Sequence, residues 1–293
     1  MSYILLILTT LFWSGNFVIS RGMHADIPPL ALSFWRWVVA FLILSLFAVR
    51  HLWGQRQLAR THLRFIFIQG VLGVGGFNTL IYLAVQSTTA INAVLVNSCI
   101  PVLIAVFSWV LHREVMSPRQ CLGVVVSLSG VVLIIAQGDV AALLSVRFNP
   151  GDLLVLLAAV LWALYSANLR NYPRELHPFA FQSGIVLVGL CCITPFYLIE
   201  LSRGTTFSPT IPALMTILYV AIFASVLAFI FWNRAVRAVG ANKAGPFIHL
   251  MPVFSTVLAV IFLGEQLYPY HFKGAALIFT GIIMTTVLVA RKK

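Results

Sequence analysis

Pro101 and Pro252 each stand inside an apolar run, and the residues beside them are polar: Asn97 and Ser98 before the first, His249 before the second. A proline within a helix lacks the N–H donor and clashes with the preceding turn, so it frees the carbonyl four residues back. The freed carbonyls are those of Asn97 and Ile248. In a bilayer such a break survives only where protein or water satisfies the backbone again. Two breaks flanked by an amide, a hydroxyl and an imidazole suit the reversible holding of a polar solute. Bond-making chemistry has no comparable support. There is no H-E-x-x-H and no Walker A sequence, and none of Ser14, Ser129 and Ser183, each followed by Gly, has Gly two residues before it.

Other polar and aromatic side chains recur at helical spacing. Trp13, Asn16, Phe17 and Ser20 share one stripe, and Trp162, Tyr165 and Ser166 share another. Phe77, Asn78, Ile81 and Tyr82 form a third, with Ala228, Phe229, Trp232 and Asn233 as its counterpart. Such stripes differ from lipid-facing Leu and Val and suit the wall of a small-molecule cavity. The candidate substrate-binding set is therefore Trp13, Asn16, Phe77, Asn78, Tyr82, Asn97, Ser98, Trp162, Tyr165, Phe229 and His249, with Pro101 and Pro252 as helix breaks. Trp35, Trp37, Trp53 and Tyr270 lie near the ends of apolar runs and read as interface anchors. Arg36 stands between two of them and is expected to snorkel to the interface, although it could attract a carboxylate.

Glu114 and Glu265 each close an apolar helix at its C-terminus, where a negative charge is unfavourable unless paired. They are candidates for a gate, with Arg113, Arg119 and Lys273 as nearby partners, and a plain surface pair is the simpler expectation. All seven acids lie near the ends of apolar runs, so there is no deep carboxylate to relay protons. His249, the one deep titratable group, is expected to hydrogen-bond rather than carry a proton. No cofactor or metal is expected.

The elements that position these residues follow from composition. Of 293 residues 61% are apolar and 9% are charged, against roughly 25% charge in soluble domains. Apolar runs bounded by charge, Pro or Gly give spans near 2–20, 29–49, 64–85, 90–111, 118–136, 152–170, 178–199, 212–233, 242–263 and 271–290. The first lacks the basic start of a secretory signal and is kept as a mature helix. Fourteen of the nineteen Lys and Arg fall on the side that the termini of a ten-span chain must share. The positive-inside bias places both termini in the cytoplasm, and the net charge of +12 becomes an orientation signal rather than a mark of nucleic-acid binding. Cys99, Cys121, Cys191 and Cys192 lie in apolar runs and read as small hydrophobes.

The chain matches itself. At a shift of 149, Trp13 meets Trp162, Arg21 meets Arg170 and Pro29 meets Pro178. At a shift of 151, Pro101 meets Pro252, Glu114 meets Glu265, Gly123 meets Gly274 and Gly130 meets Gly281. Two units, 1–140 and 141–293, follow. Five spans per unit is an odd number, so the second unit enters the membrane from the opposite face. The fold class is an all-α integral membrane protein of ten transmembrane helices in two inverted five-helix repeats. Inverted halves give a direct route to alternating access, whereas no charge ring or filter sequence supports a channel. Gly70, Gly73, Gly75 and Gly76 in span three, and the paired glycines of spans five and ten, allow close helix approach.

These paired blocks resemble the EamA family of the drug/metabolite transporter superfamily. The resemblance rests on the run from Phe12 and Trp13 to Arg21, on Phe34-Trp35-Arg36-Trp37, and on Pro101 through Glu114 to Gly130. It rests equally on the matching run from Pro252 through Gly264-Glu265 to Gly281. Two places depart from the pattern: His112-Arg113-Glu114 lacks the small residue before Glu, and Ile185 stands opposite Arg36. Within the family the chain looks most like the bacterial amino-acid exporters of the YddG type. The resemblance implies a central cavity, a bacterial inner membrane and the export of small metabolites. A neutral cavity rich in aromatics and amides suits aromatic and other zwitterionic amino acids, carried by facilitated diffusion. The alternative is a broad metabolite or drug efflux carrier, with or without proton coupling. The partners are a small-molecule substrate and the lipid bilayer, with no nucleic acid, and a monomer is expected.

Overall fold

A computed structural model describes residues 1–23, 26–84, 86–139 and 149–287. The last residues of span ten and the middle of the loop joining the two units, Arg147 included, lie outside these residues. All regular structure among them is helical. Nine stretches of the described residues are long and apolar enough to cross a membrane: Ser2–Ser20, Pro29–Phe47, Leu63–Ala84, Asn92–His112, Pro118–Ile135, Pro150–Asn171, Pro178–Ser202, Ile211–Val239 and Ala241–Leu263. The tenth helix, Pro269–Thr286, carries Tyr270, His271 and Lys273 in its first turns, and these lower its mean hydropathy. Numbered in chain order, these are spans one to ten.

Local sequence explains where the spans begin. Proline opens spans two, five, six, seven and ten at Pro29, Pro118, Pro150, Pro178 and Pro269. Its missing N–H costs nothing at a first helical position. Ser117 with Gln120, and Asn149 with Asp152, form capping boxes ahead of spans five and six. Glu200, near the end of span seven, accepts the backbone N–H groups of Leu30 and Ala31 at 3.3 and 2.8 Å and so caps span two from another helix.

The spans that carry Pro101 and Pro252 are broken at matching depths, whereas span seven runs unbroken through Pro195. Span four is two helices, Ala90–Asn97 and Ile100–His112. In span nine a 3₁₀ turn, Gly245–His249, precedes the helix Leu250–Leu263. Spans three and eight carry a second paired irregularity that the hydropathy pattern does not announce. Each contains a π-helical segment, Gly70–Gly76 and Val220–Leu227 respectively. A π-helical turn pairs residues five apart and displaces carbonyls from the regular ladder. The glycines of the first segment take up close packing: a Cβ on Gly73 would lie 2.5 Å from the Tyr165 ring, and one on Gly75 would lie 2.6 Å from Cys192.

Spans five and ten pack on one another through the repeated glycines. A Cβ on Gly123 would meet the Gly281 carbonyl at 2.7 Å, and one on Gly130 would meet the Gly274 carbonyl at 2.5 Å. Since Gly123 corresponds to Gly274 and Gly130 to Gly281, the crosswise contact is what an inverted pair must make.

Candidate functional site

Four of the seven tryptophans, Trp13, Trp37, Trp162 and Trp232, converge at the centre of the helix assembly. Trp162 of span six lies 5.1 Å from Trp13, 5.0 Å from Phe77, 5.2 Å from Tyr165 and 5.5 Å from Phe229, ring centre to ring centre. Trp232 joins at 5.5 Å from Trp13, and Trp37 packs edge-on against Phe229 at 5.2 Å. Three of the polar ring atoms have partners. Trp13 Nε1 donates to the Ala224 carbonyl at 3.1 Å, inside the π-helical segment of span eight. Trp232 Nε1 donates to Ser166 Oγ at 3.2 Å, and the Tyr165 hydroxyl donates to Asn233 Oδ1 at 2.6 Å. Trp37 Nε1 is buried without an acceptor among the described residues. Trp37 is fully buried, so it is a core residue and not the interface anchor its sequence position suggested. Five of the candidate binding residues, Trp13, Phe77, Trp162, Tyr165 and Phe229, are thus brought together. In this conformation they fill the centre by packing on each other.

A cavity of about 880 Å³ lies on one side of this cluster, where spans four, six and eight end. Its mouth carries Arg170, Arg174, Arg234, Arg237 and His177, and Gln182 and Asn233 lie deeper. Asn233 Nδ2 donates to Gln182 Oε1 at 3.2 Å, which leaves the Tyr165–Asn233–Gln182 chain between the rings and the cavity. Gln182 Nε2 is buried with no acceptor among the described residues. At the mouth Glu114 pairs with Arg170, not with the expected Arg113 or Arg119. Arg113 instead takes a left-handed φ of 56° and lies over the Trp109 ring at 5.7 Å. Arg237 covers Tyr172 at 3.6 Å. Burial pushes the Tyr172 phenol up to about 12, against the opposing pull of the guanidinium. His177 stacks on His51 at 3.7 Å, and partial burial, then the neighbouring imidazole, lowers its pKa.

The two helix breaks touch. His249 Nε2 lies 3.0 Å from the Ser98 carbonyl, and its Nδ1 lies 2.8 Å from Ser127 Oγ. Ser98 and His249 are repeat equivalents, so each half supplies one member of the contact. Ser14 of span one donates to the Met251 carbonyl just past the second break at 3.1 Å. The remaining candidates stand apart from the ring cluster. Asn78 donates to the Val74 carbonyl at 2.7 Å and stitches its own π-helical segment. Asn16 accepts from Ser20 at 3.3 Å and is half-buried. Asn97 Oδ1 is buried without a donor among the described residues. Glu265 lies exposed past the end of span nine, and the side chain of Arg21, which the repeat sets opposite Arg170, is outside the described residues.

Arg36 does not snorkel. It is 4% exposed, with Nε donating to Ser225 Oγ at 3.0 Å and Nη1 donating to the Tyr82 hydroxyl at 3.3 Å. Tyr82 therefore belongs with Arg36 and not with the ring cluster. Sequence reasoning missed this site because Ser225, the residue that draws Arg36 inward, is 189 positions away. The signal that could have found it is the arginine itself, a full charge roughly two turns inside an apolar run.

The comparisons with known proteins fit this architecture. The model of the EamA-like transporter family matches residues 1–136 and again 149–287. This chain belongs to the EamA-like transporter family. It is a multi-pass membrane transporter, and its relatives are transporters, not enzymes. An uncharacterized transporter of Archaeoglobus fulgidus is 30% identical over 97% of this chain and 97% of its own length. The uncharacterized transporter YyaM of Bacillus subtilis is 23% identical, covering 98% of this chain and 94% of its own. One solved crystal structure shares the fold at a TM-score of 0.81 and 21% identity, over 98% of this chain and 96% of that one.

Proposed function

We propose that this EamA-like transporter exports amino acids, aromatic and other zwitterionic ones, across a bacterial inner membrane by alternating access and facilitated diffusion. The observation that carries the reading is the closed ring cluster between the two repeats, reached from one side through a wide basic cavity. The rings of Trp13, Trp162 and Phe229 suit an apolar or aromatic side chain, and the Tyr165, Asn233 and Gln182 groups suit the polar end of a solute of that size. With both termini in the cytoplasm, the cavity opens inward. Its four arginines favour solutes bearing a negative group over organic cations. Resemblance to amino-acid exporters of the YddG type points the same way.

Counterflow in proteoliposomes, run with labelled amino acids, organic cations and sugar phosphates, tests the reading. Exchange of at least one amino acid is expected, at rates that do not depend on an imposed pH gradient. Exchange of another class with no exchange of any amino acid overturns it in favour of a broader metabolite or drug efflux carrier.

A further inference from the structure

Arg36 is a buried cation without a counter-ion among the described residues. No carboxylate of a described residue lies within 4.0 Å of it. Glu200, the acid that packs on the start of the same helix, is occupied by the N–H groups of Leu30 and Ala31. Both hydrogen bonds of the guanidinium go to neutral hydroxyls, and its donors outnumber these two acceptors. Arginine cannot escape the cost by losing its proton. A full charge held inside a membrane protein with only neutral partners is expensive and marks a place where charge is used.

Its surroundings are built to receive a ligand. Ser225 sits in the π-helical segment of span eight and also bonds to the Val220 carbonyl at 3.0 Å, five residues back. Two more buried hydroxyls on the same helices have no partner among the described residues: Ser33 Oγ, one turn before Arg36, and Thr79 Oγ1, one turn before Tyr82. The guanidinium stands over the Trp37 ring at 5.0 Å, and Trp37 abuts Phe229 of the central cluster at 5.2 Å. Arg36 is seven residues into span two, about 10 Å along the helix from Pro29, and so lies toward the face opposite the basic cavity.

We infer that Arg36, with Tyr82 and Ser225, forms a carboxylate-binding site on the far side of the ring cluster, which holds the acid group of a solute whose apolar part lies among the rings. The inference rests on the amino-acid reading for the identity of the solute, but its chemistry is that of a monoanion. One carboxylate neutralises one guanidinium and accepts two parallel N–H bonds from it. A phosphate would bring more charge than this single cation cancels.

Binding can be measured without transport, as ligand-induced thermal stabilisation of the purified full-length protein. The probes are 3-phenylpropionate, which has the acid and no amine, phenethylamine, which has the amine and no acid, and inorganic phosphate. The carboxylate is expected to stabilise the wild-type protein, and the amine and phosphate are not. Arg36→Gln is expected to weaken 3-phenylpropionate at least tenfold, about 1.4 kcal/mol, with Arg36→Lys retaining part of the affinity. Should Arg36→Gln not fold, Tyr82→Phe and Ser225→Ala carry the test by weakening the carboxylate alone. Equal stabilisation of wild type and variants by 3-phenylpropionate, no stabilisation of the wild type by it, or a larger response to phosphate or phenethylamine overturns the site. Carboxylate binding that depends on Arg36, in a protein whose counterflow shows no amino-acid exchange, keeps the site and removes the amino-acid reading.

Discussion

Trp13 and Trp162 occupy equivalent positions in the two repeats and touch edge to face, ring centres 5.1 Å apart and planes at 82°. The contact lies where the two inverted halves meet, and any solute passing between them must displace one of these rings. Their environments nonetheless differ. Trp13 spends its N–H on the Ala224 carbonyl of the π-helical segment, while Trp162 is enclosed by Phe77, Tyr165 and Phe229.

Trp13→Phe keeps an aromatic ring and removes the hydrogen bond to the Ala224 carbonyl, at a cost of about 0.5–1.5 kcal/mol. Trp162→Ala empties the centre and is expected to cost about 3–5 kcal/mol. Thermal unfolding in detergent should therefore rank wild type above Trp13→Phe above Trp162→Ala. In counterflow Trp162→Phe should keep exchange of an aromatic amino acid, and Trp162→Ala should lose it. Unchanged affinity and rate in folded Trp162→Ala would remove the ring cluster from the substrate path.

The glycine seam between spans five and ten gives a second test. A Cβ on Gly281 would lie 2.3 Å from the Gly123 carbonyl and 2.6 Å from the Ser127 nitrogen, so backbone must move to admit even a methyl group. Gly281→Ala is expected to destabilise by about 1–3 kcal/mol. Gly54, near the end of the second helix, has nothing within 4 Å of such a Cβ, and Gly54→Ala should be neutral or slightly stabilising. Equal melting of the two variants would show that the seam does not hold the halves together.

Arg113 and Gly264 occupy the same left-handed position after spans four and nine, with φ of 56° and 69°. The residue that breaks the repeat in sequence keeps its backbone conformation, and an arginine held there is strained by roughly 1–2 kcal/mol. Arg113→Gly relieves that strain and loses the exposed contact with Trp109, which contributes about 0.5–1 kcal/mol. The net expectation is a small rise in melting temperature. A clear fall would mean that the stacking of Arg113 on Trp109 outweighs the backbone.

Much of this architecture was legible because lipid imposes a simple rule on sequence. Apolar length marked the spans, and the repeat of Trp, Pro, Glu and Gly marked the inversion. Pro101 and Pro252 marked the breaks because polar residues precede both at repeat-matched positions; Pro195 leaves span seven continuous. The π-helical segments were not legible: shifting a bond from four to five residues leaves hydropathy untouched, and Val220–Leu227 contains neither Gly nor Pro. Arg36 was misread for a related reason. Whether an arginine near a span end snorkels or turns inward depends on Ser225 and Tyr82, which reach it from two other spans.

His249 offers the sharpest separation of a structural from a proton-carrying role. Its Nε2 can serve the Ser98 carbonyl only as an N–H donor, so in the neutral ring Nδ1 can act only as an acceptor toward Ser127. The Ser127 hydroxyl also lies 3.0 Å from the Val124 carbonyl and has one proton to give, so it serves Val124 or His249 but not both. His249→Gln retains a donor for Ser98, whereas His249→Ala leaves that carbonyl bare at the junction of both broken spans. Thermal stability should fall more for Ala than for Gln, by about 1–3 kcal/mol, with counterflow in wild type and His249→Gln equally indifferent to an imposed pH gradient. A strong pH dependence in the wild type that disappears in both variants would make His249 a proton carrier and end the facilitated-diffusion reading.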